Sequence, residues 1–519
     1  MLRQIKTENG ILEGMPCSDP RVTIFKGVPY AAPPVGDLRW KSPRPAPCWK
    51  GVRRADRFAP MEIQRKIGLD PTDFYTRELH PTAAEYQMSE DCLYFNMWSP
   101  AVSTRDNLPI YVWFHGGGLQ SGYSYEMEFD GERMAREGVI VVSVGYRLNV
   151  FGFFAHPELT AEEPEGCHGN YGLEDVIFCM NWLKRNAHAF GGDPNRITVG
   201  GQSGSAFGAV VLASSPQSEG LITGIIMQSG GGLRAIGYNS RCIPLDRAEK
   251  NGIKFLELLG VSSIVAARKI SAEVIYQTYC EMNPDFEFRG PCIDGKFLLE
   301  DATDAMLHNH HLKIPYLFGS TSREGGLIFN PQKIPRTLAE FREAAQDVFG
   351  NDTDDFIAYC NIKSEEDIRN IYLGDTFNAR TIAARAFSMT QAEQGRTGYC
   401  YFFNHDIPGD DQAGAYHGSD LWFTFQTLDK CWRPFTGKHY DLARKVMKYW
   451  TNFIKSGNPN GFDQDGTPLP EWISVSENPT FVMEFTDVPA PASKALDKEA
   501  QYRIDYQLGK LKSESLSYQ

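Results

Sequence analysis

The sequence has no apolar run of membrane-spanning length. Its longest, such as Gly138–Val144, is strand-sized. The opening stretch from Met1 to Gly10 lacks the apolar core of a signal peptide. Eleven cysteines lie scattered from Cys17 to Cys431 with no Cys-x-x-Cys pair. That odd number favours reduced thiols over a disulfide framework, so a cytoplasmic protein is expected. Positive charge is in deficit: 52 Lys and Arg stand against 65 Asp and Glu, a formal net charge of -13. This argues against nucleic acid or an anionic membrane as the main partner. No internal repeat and no biased linker divides the 519 residues. One domain over 1–519 is therefore expected, although length alone would suggest roughly three.

What is present is alternation of strand and helix. Thr23–Phe25 and Gly27–Tyr30 read as short strands. Leu93–Met97, Leu108–Phe114 and Val139–Val144 are β-branched and aromatic runs of buried-strand length. Leu173, Val176, Ile177, Met180 and Leu183 recur at helical spacing, and further strands are expected at Gly224–Met227 and Tyr316–Gly319. The fold class is α/β, with a large, mostly parallel central sheet flanked by helices. Residues 61–90 are polar and without period, which fits a lid or a surface insertion. The charged tail after about 490 reads as a surface helix or frayed end.

One stretch carries chemistry. The strand Ile197–Val199 runs through Gly200, Gly201 and Gln202 into Ser203, and an Ala/Val-rich helix follows. A serine on so sharp a strand-to-helix turn is a nucleophile elbow. Gly201 permits the turn, and the helix behind it aims its free N–H groups at a developing oxyanion. Ser205 stands where a second glycine is usual. Upstream, His115-Gly116-Gly117-Gly118 follows a strand directly, leaving backbone N–H groups open to a ligand. Gly117, Gly118 and Gly204 are the candidate oxyanion-hole donors.

An orienting acid and a base should follow the serine in that order. Glu324 lies in a turn-rich loop after the strand Ile314–Phe318, where open α/β sheets assemble their sites. Arg323 beside it leaves open a merely solvated carboxylate. The histidines beyond are His405, His417 and His439. His417 sits at a loop tip leading into an aromatic segment, His405 beside Asp406 competes, and His439 reads as part of an exposed basic patch. His308-Asn309-His310-His311 gathers three imidazoles without carboxylate or cysteine ligands at structured spacing, so no metal site is expected there.

The chain resembles the type-B carboxylesterases, the cholinesterase/carboxylesterase branch of the α/β-hydrolases. The resemblance rests on Phe25-Lys-Gly-Val-Pro-Tyr-Ala-Ala-Pro-Pro-Val-Gly, Ser89-Glu-Asp-Cys-Leu-Tyr-Phe-Asn, His115-Gly-Gly-Gly and Tyr146-Arg-Leu-Asn-Val-Phe-Gly-Phe. Further along come Gly169-Asn-Tyr-Gly-Leu-Glu-Asp, the elbow, Met227-Gln-Ser-Gly, His417-Gly-Ser-Asp and Trp450-Thr-Asn-Phe-Ile-Lys-Ser-Gly-Asn-Pro-Asn. It implies an α/β-hydrolase fold and a catalytic Ser203, Glu324 and His417. Gly117, Gly118 and Gly204 would form the oxyanion hole, with Gln202, Ser229 and Asp420 tied to the serine and histidine. Gln202 stands where many relatives carry Glu, so cationic, cholinesterase-type substrates are not expected. Cys92 lacks the upstream cysteine that pairs with it in secreted relatives, which fits a bacterial, intracellular member. The expected activity is hydrolysis of small aliphatic or aryl esters without metal or organic cofactor. The expected state is monomer or homodimer. The rival reading is a non-catalytic binding protein on the same scaffold, with Ser205 its one supporting feature.

Overall fold

Strand-length runs that are apolar throughout can be satisfied only inside a sheet covered on both faces. The computed structural model, which describes residues 1–81, 83–236, 242–282, 288, 290–324, 334–492 and 496–516, puts them there. One sheet contains β1 (Met15–Pro16), β2 (Thr23–Pro29), β3 (Tyr94–Ser99), β4 (Leu108–Phe114), β5 (Ile140–Val144) and β6 (Gly192–Gln202). It continues with β7 (Gly224–Gln228), β8 (Tyr316–Thr321), β9 (Gly398–Phe403), β10 (Met483–Phe485) and β11 (Pro489–Pro491). The spatial order is β11-β10-β9-β8-β7-β6-β4-β5-β3-β2-β1. Neighbours are parallel from β5 across to β10. They are antiparallel at both margins. The two short strands expected at 23–30 are one strand whose register shifts between Phe25 and Val28.

Alternation along β4 separates two cores. Ile110, Val112 and Phe114 join a cluster with α1 (Tyr171–Asn186), α2 (Gly204–Ser214) and α3 (Ala379–Glu393). Tyr111 and Trp113 join a second cluster with α4 (Asp420–Thr424) and α5 (Gly437–Ser456). The α2 helix is buried on nearly every side, as a helix apolar all round must be.

The polar segment 61–90 is fastened to the rest of the fold. Its helix Phe74–Leu79 carries a buried Glu78 that accepts from Arg433 Nε (2.8 Å) and Nη2 (2.9 Å), from Trp432 Nε1 (2.8 Å) and from the Tyr416 hydroxyl (2.9 Å). That carboxylate can be buried because it is paired and hydrogen-bonded on both oxygens. The charged tail is helical, one of the two states expected of it. In α6 (Lys498–Leu516), Ala500, Ile504 and Leu511 are buried in the first core, an apolar stripe hidden in a charged composition. No helix among the described residues is long and apolar enough to cross a membrane.

Candidate active site

The elbow forms where β6 runs into α2. Ser203 sits between them at φ 61° and ψ −124°, a conformation that non-glycine residues rarely adopt. The surroundings hold it there. Its N–H donates to Gln228 O at 2.9 Å, and a Cβ on Gly204 would lie 2.6 Å from Gly118 N, so the elbow and the His115–Gly118 loop touch backbone to backbone. Ser205, the departure from the usual glycine, is buried and closes the turn. Its hydroxyl accepts from Gln202 N at 2.9 Å and donates to Gln202 O at 2.8 Å. The one feature that favoured a binding protein is thus a structural fastening of the elbow.

The glycine loop turns through φ 94° at Gly117 and 67° at Gly118. A Cβ at Gly117 would fall 2.0 Å from Ser121 O, so glycine is required there. Among the described residues, no acceptor takes the N–H of Gly117, Gly118 or Gly204. The last of these opens α2, whose first N–H groups have no partner within the helix. His115 is buried, its carbonyl accepting from the Tyr146 hydroxyl at 2.8 Å.

Glu324 and His417 come from loops 93 residues apart, joined by a backbone bridge in which Arg323 N donates to Ala415 O at 3.0 Å. This sets His417 Nδ1 2.5 Å from Glu324 Oε2, while Glu324 Oε1 accepts from Thr321 N at 2.8 Å. Glu324 is buried rather than solvated. Burial pushes its carboxyl up, but the His417 ring and the Arg380 guanidinium, 3.7 Å away, outweigh that and hold it at about 2. Burial and Arg380 together pull His417 below its ordinary value against the opposing pull of Glu324. The ring is therefore neutral at pH 7. With Nδ1–H donated to the carboxylate, Nε2 is left as an acceptor. Gln202 Nε2 lies 3.2 Å from that atom, and no hydrogen bond joins Ser203 to His417 among the described residues. Gly325 and Gly326, in the same loop as Glu324, lie outside the described residues.

The other site candidates fall as follows. Ser229, at φ 57°, is buried, and its hydroxyl acts to lower the Glu324 carboxyl without completing a normal hydrogen bond. Asp420 bonds not to His417 but to the Gln228 amide (2.9 Å) and the Tyr401 hydroxyl (2.7 Å), and burial pushes it up to about 6. Gln228 and Arg380 are missed by the sequence reading. Gln228 links the Ser203 backbone, Asp420 and Trp450 Nε1 (3.2 Å); it lies in the Met227-Gln-Ser-Gly motif of the resemblance, which gave it no role. Tyr416, Trp422 and Phe423, of the aromatic segment around His417, are fully buried core. His439 is not exposed: it is buried, and its Nδ1 accepts from Thr436 N at 2.8 Å to cap α5. His405 is buried against the Phe423 and His439 rings, held by burial at about 4. A neutral imidazole paired with a buried carboxylate, a strained serine and backbone N–H groups without acceptors are the equipment of acyl transfer.

Residues 2–504 match the Carboxylesterase family. The chain belongs to that family. This carboxylesterase is 32% identical over 472 residues to the fumonisin B1 esterase of Sphingopyxis macrogoltabida, covering 88% of this chain and 82% of that one. It is 29% identical over 469 residues to the para-nitrobenzyl esterase of Bacillus subtilis (strain 168), covering 88% and 90%. The crystal structure of the Geobacillus stearothermophilus carboxylesterase at pH 6.2 superposes with a TM-score of 0.75 at 26% identity, over 97% of this chain and 100% of that one. The carboxylesterase is therefore an α/β-hydrolase and a carboxylic ester hydrolase by family. All eleven of its cysteines, Cys92 included, are free thiols.

Proposed function

We propose that this carboxylesterase cleaves small neutral aliphatic or aryl esters through an acyl-enzyme on Ser203, with His417 as general base and Glu324 as its orienting acid. The observation that carries the reading is the 2.5 Å contact between His417 Nδ1 and the buried Glu324 Oε2, with Gln202, the residue before Ser203, 3.2 Å from His417 Nε2. The Ser203 hydroxyl replaces the Gln202 amide at His417 Nε2 and gives up its proton there. Its oxygen then attacks the ester carbonyl. The carbonyl oxygen takes the negative charge and is met by the N–H groups of Gly117, Gly118 and Gly204. Collapse returns the proton from His417 to the leaving alcohol. Water, deprotonated in turn by His417, releases the acid and regenerates Ser203.

The neutral Gln202 and the nearby Arg380 cation both support neutral rather than cationic esters. The para-nitrobenzyl esterase among the relatives supports an aryl alcohol side. Free thiols support a cytoplasmic protein, and the eleven-stranded sheet, with strands from residue 15 to residue 491, supports one domain, acting as monomer or homodimer.

The test is hydrolysis of p-nitrophenyl acetate, butyrate and octanoate alongside a choline ester. The reading expects the neutral acetate or butyrate to turn over fastest. A preference for the choline ester, or no turnover of any of them by folded protein that also takes no organophosphate label, would overturn it.

A further inference from the structure

The sequence shows three clustered histidines with no carboxylate in register, but the fold supplies one. We infer that Glu300, His308 and His310 form a binding site for a first-row divalent cation, with Zn2+ the ion that fits. One ligating atom from each lies within 4.8 Å of the other two. His308 Nδ1 is 2.9 Å and His310 Nδ1 2.8 Å from the two oxygens of Glu300. The backbone fixes this arrangement. His308 closes the helix Ala302–Leu307, its N–H donating to Asp304 O at 2.8 Å. Asn309 follows at φ 63°, and its Oδ1 is held by Arg396 Nε at 2.8 Å. The chain reverses there, so that His310 N donates to Ala305 O at 2.8 Å and the two imidazole centroids stand 5.6 Å apart. His311 takes no part: it is buried, with Nδ1 2.9 Å from the Tyr316 hydroxyl.

Two imidazoles and a carboxylate, without a thiolate, are a donor set for Zn2+ rather than for Mg2+ or Ca2+. The side chain of His310 is 65% exposed, so a fourth, tetrahedral position is open to water. In the metal-free protein each Nδ1–H donates to Glu300. Binding replaces those hydrogen bonds with two Nδ1–metal bonds, and the ring hydrogens move to Nε2. At His308 that atom already faces Ser515 Oγ at 2.6 Å, an acceptor placed to fix the ligating tautomer. Ser515 lies in α6, so the cation ties the Glu300–His310 turn to the last helix and stabilises the folded state on which the site depends.

The experiment is calorimetric titration of the full, chelator-treated chain with Zn2+, together with its melting temperature with and without the ion. Wild type should take up Zn2+ at one high-affinity site per chain and melt higher with it. Glu300→Gln and His310→Asn, both at solvent-accessible positions, should lose that site while hydrolysing ester at the wild-type rate. Ser515→Ala should weaken it by about 10-fold or more. Absence of binding by the wild type, or unchanged affinity and thermal shift in both Glu300→Gln and His310→Asn, would overturn the inference.

Discussion

Replacing Glu324 by glutamine leaves the shape of the site and inverts its proton logic. The Thr321 N–H still finds an oxygen acceptor at Oε1, so the loop keeps its anchor. Next to His417 Nδ1, however, the carboxylate oxygen at 2.5 Å becomes an amide that can donate. The imidazole then carries its hydrogen on Nε2, where it cannot take the serine proton. The strength of the lost preference follows from the carboxyl itself, displaced from 4.5 to about 2, or roughly 3 kcal/mol in favour of the ionised acceptor. An interaction of that size, used fully when the imidazolium forms, accounts for a loss of about two orders of magnitude in kcat. The wrong tautomer takes the loss to about 10⁴-fold. Steady-state hydrolysis of p-nitrophenyl butyrate by wild type and Glu324→Gln measures it, with a melting curve to establish that both are folded. Retention of more than a tenth of the wild-type kcat by a folded variant would refute the reasoning.

Three further outcomes are expected. Because burial and Arg380 depress His417, and the base works only unprotonated, the acid limb of the kcat/KM profile should lie below pH 6.5; Gln202→Glu, placing a carboxylate by the ring, should raise that inflection by about 1 pH unit or more, read from the pH-rate profile. Ser205→Ala removes both hydrogen bonds to the Gln202 backbone inside a buried turn and should cost about 1–3 kcal/mol in urea unfolding. Glu62 is buried, which pushes its carboxyl up to about 8, so the folded protein holds a proton that the unfolded chain releases above about 4.5. Stability attributable to this group therefore falls with rising pH across that window, by up to about 1.4 kcal/mol per unit. Glu62→Gln, whose Oε1 can still accept from Tyr146 N, should flatten the decline in melting temperature between pH 5 and 8.

Those parts of the site that depend on backbone demands were legible in the sequence. A side chain at Gly117 would strike Ser121 and one at Gly204 would strike Gly118, while Gly118 turns through a positive φ, so their identity alone marks the loop and the elbow. The buried strands were legible because β4 and β5 are apolar on both faces. Local pattern put Glu324 at the end of a strand but left a solvated carboxylate open, and the family resemblance strengthened the choice. What ties it to the histidine is the bridge from Arg323 to the loop of His417, a contact across 93 residues. Arg380 left no trace, and Gln228 stood only inside the Met227-Gln-Ser-Gly motif without a role, because their partners are set by the packing of α3 and β7. Glu78, in a polar stretch without period, gave no hint that Arg433 would bury it. The helix of the tail was legible but its docking was not, because its charged residues mask the apolar positions, Ala500, Ile504 and Leu511 among them, by which α6 packs.

The central claim is that Ser203 is the nucleophile, and the most direct measurement is the ester hydrolysis rate of Ser203→Ala against wild type, with covalent labelling by an organophosphate located by mass spectrometry. The account predicts a loss of at least about a thousandfold in kcat in a protein that melts as the wild type does. It also predicts a label on Ser203 that the variant does not take. A folded Ser203→Ala that retains wild-type turnover, or a label carried on another residue, would contradict it.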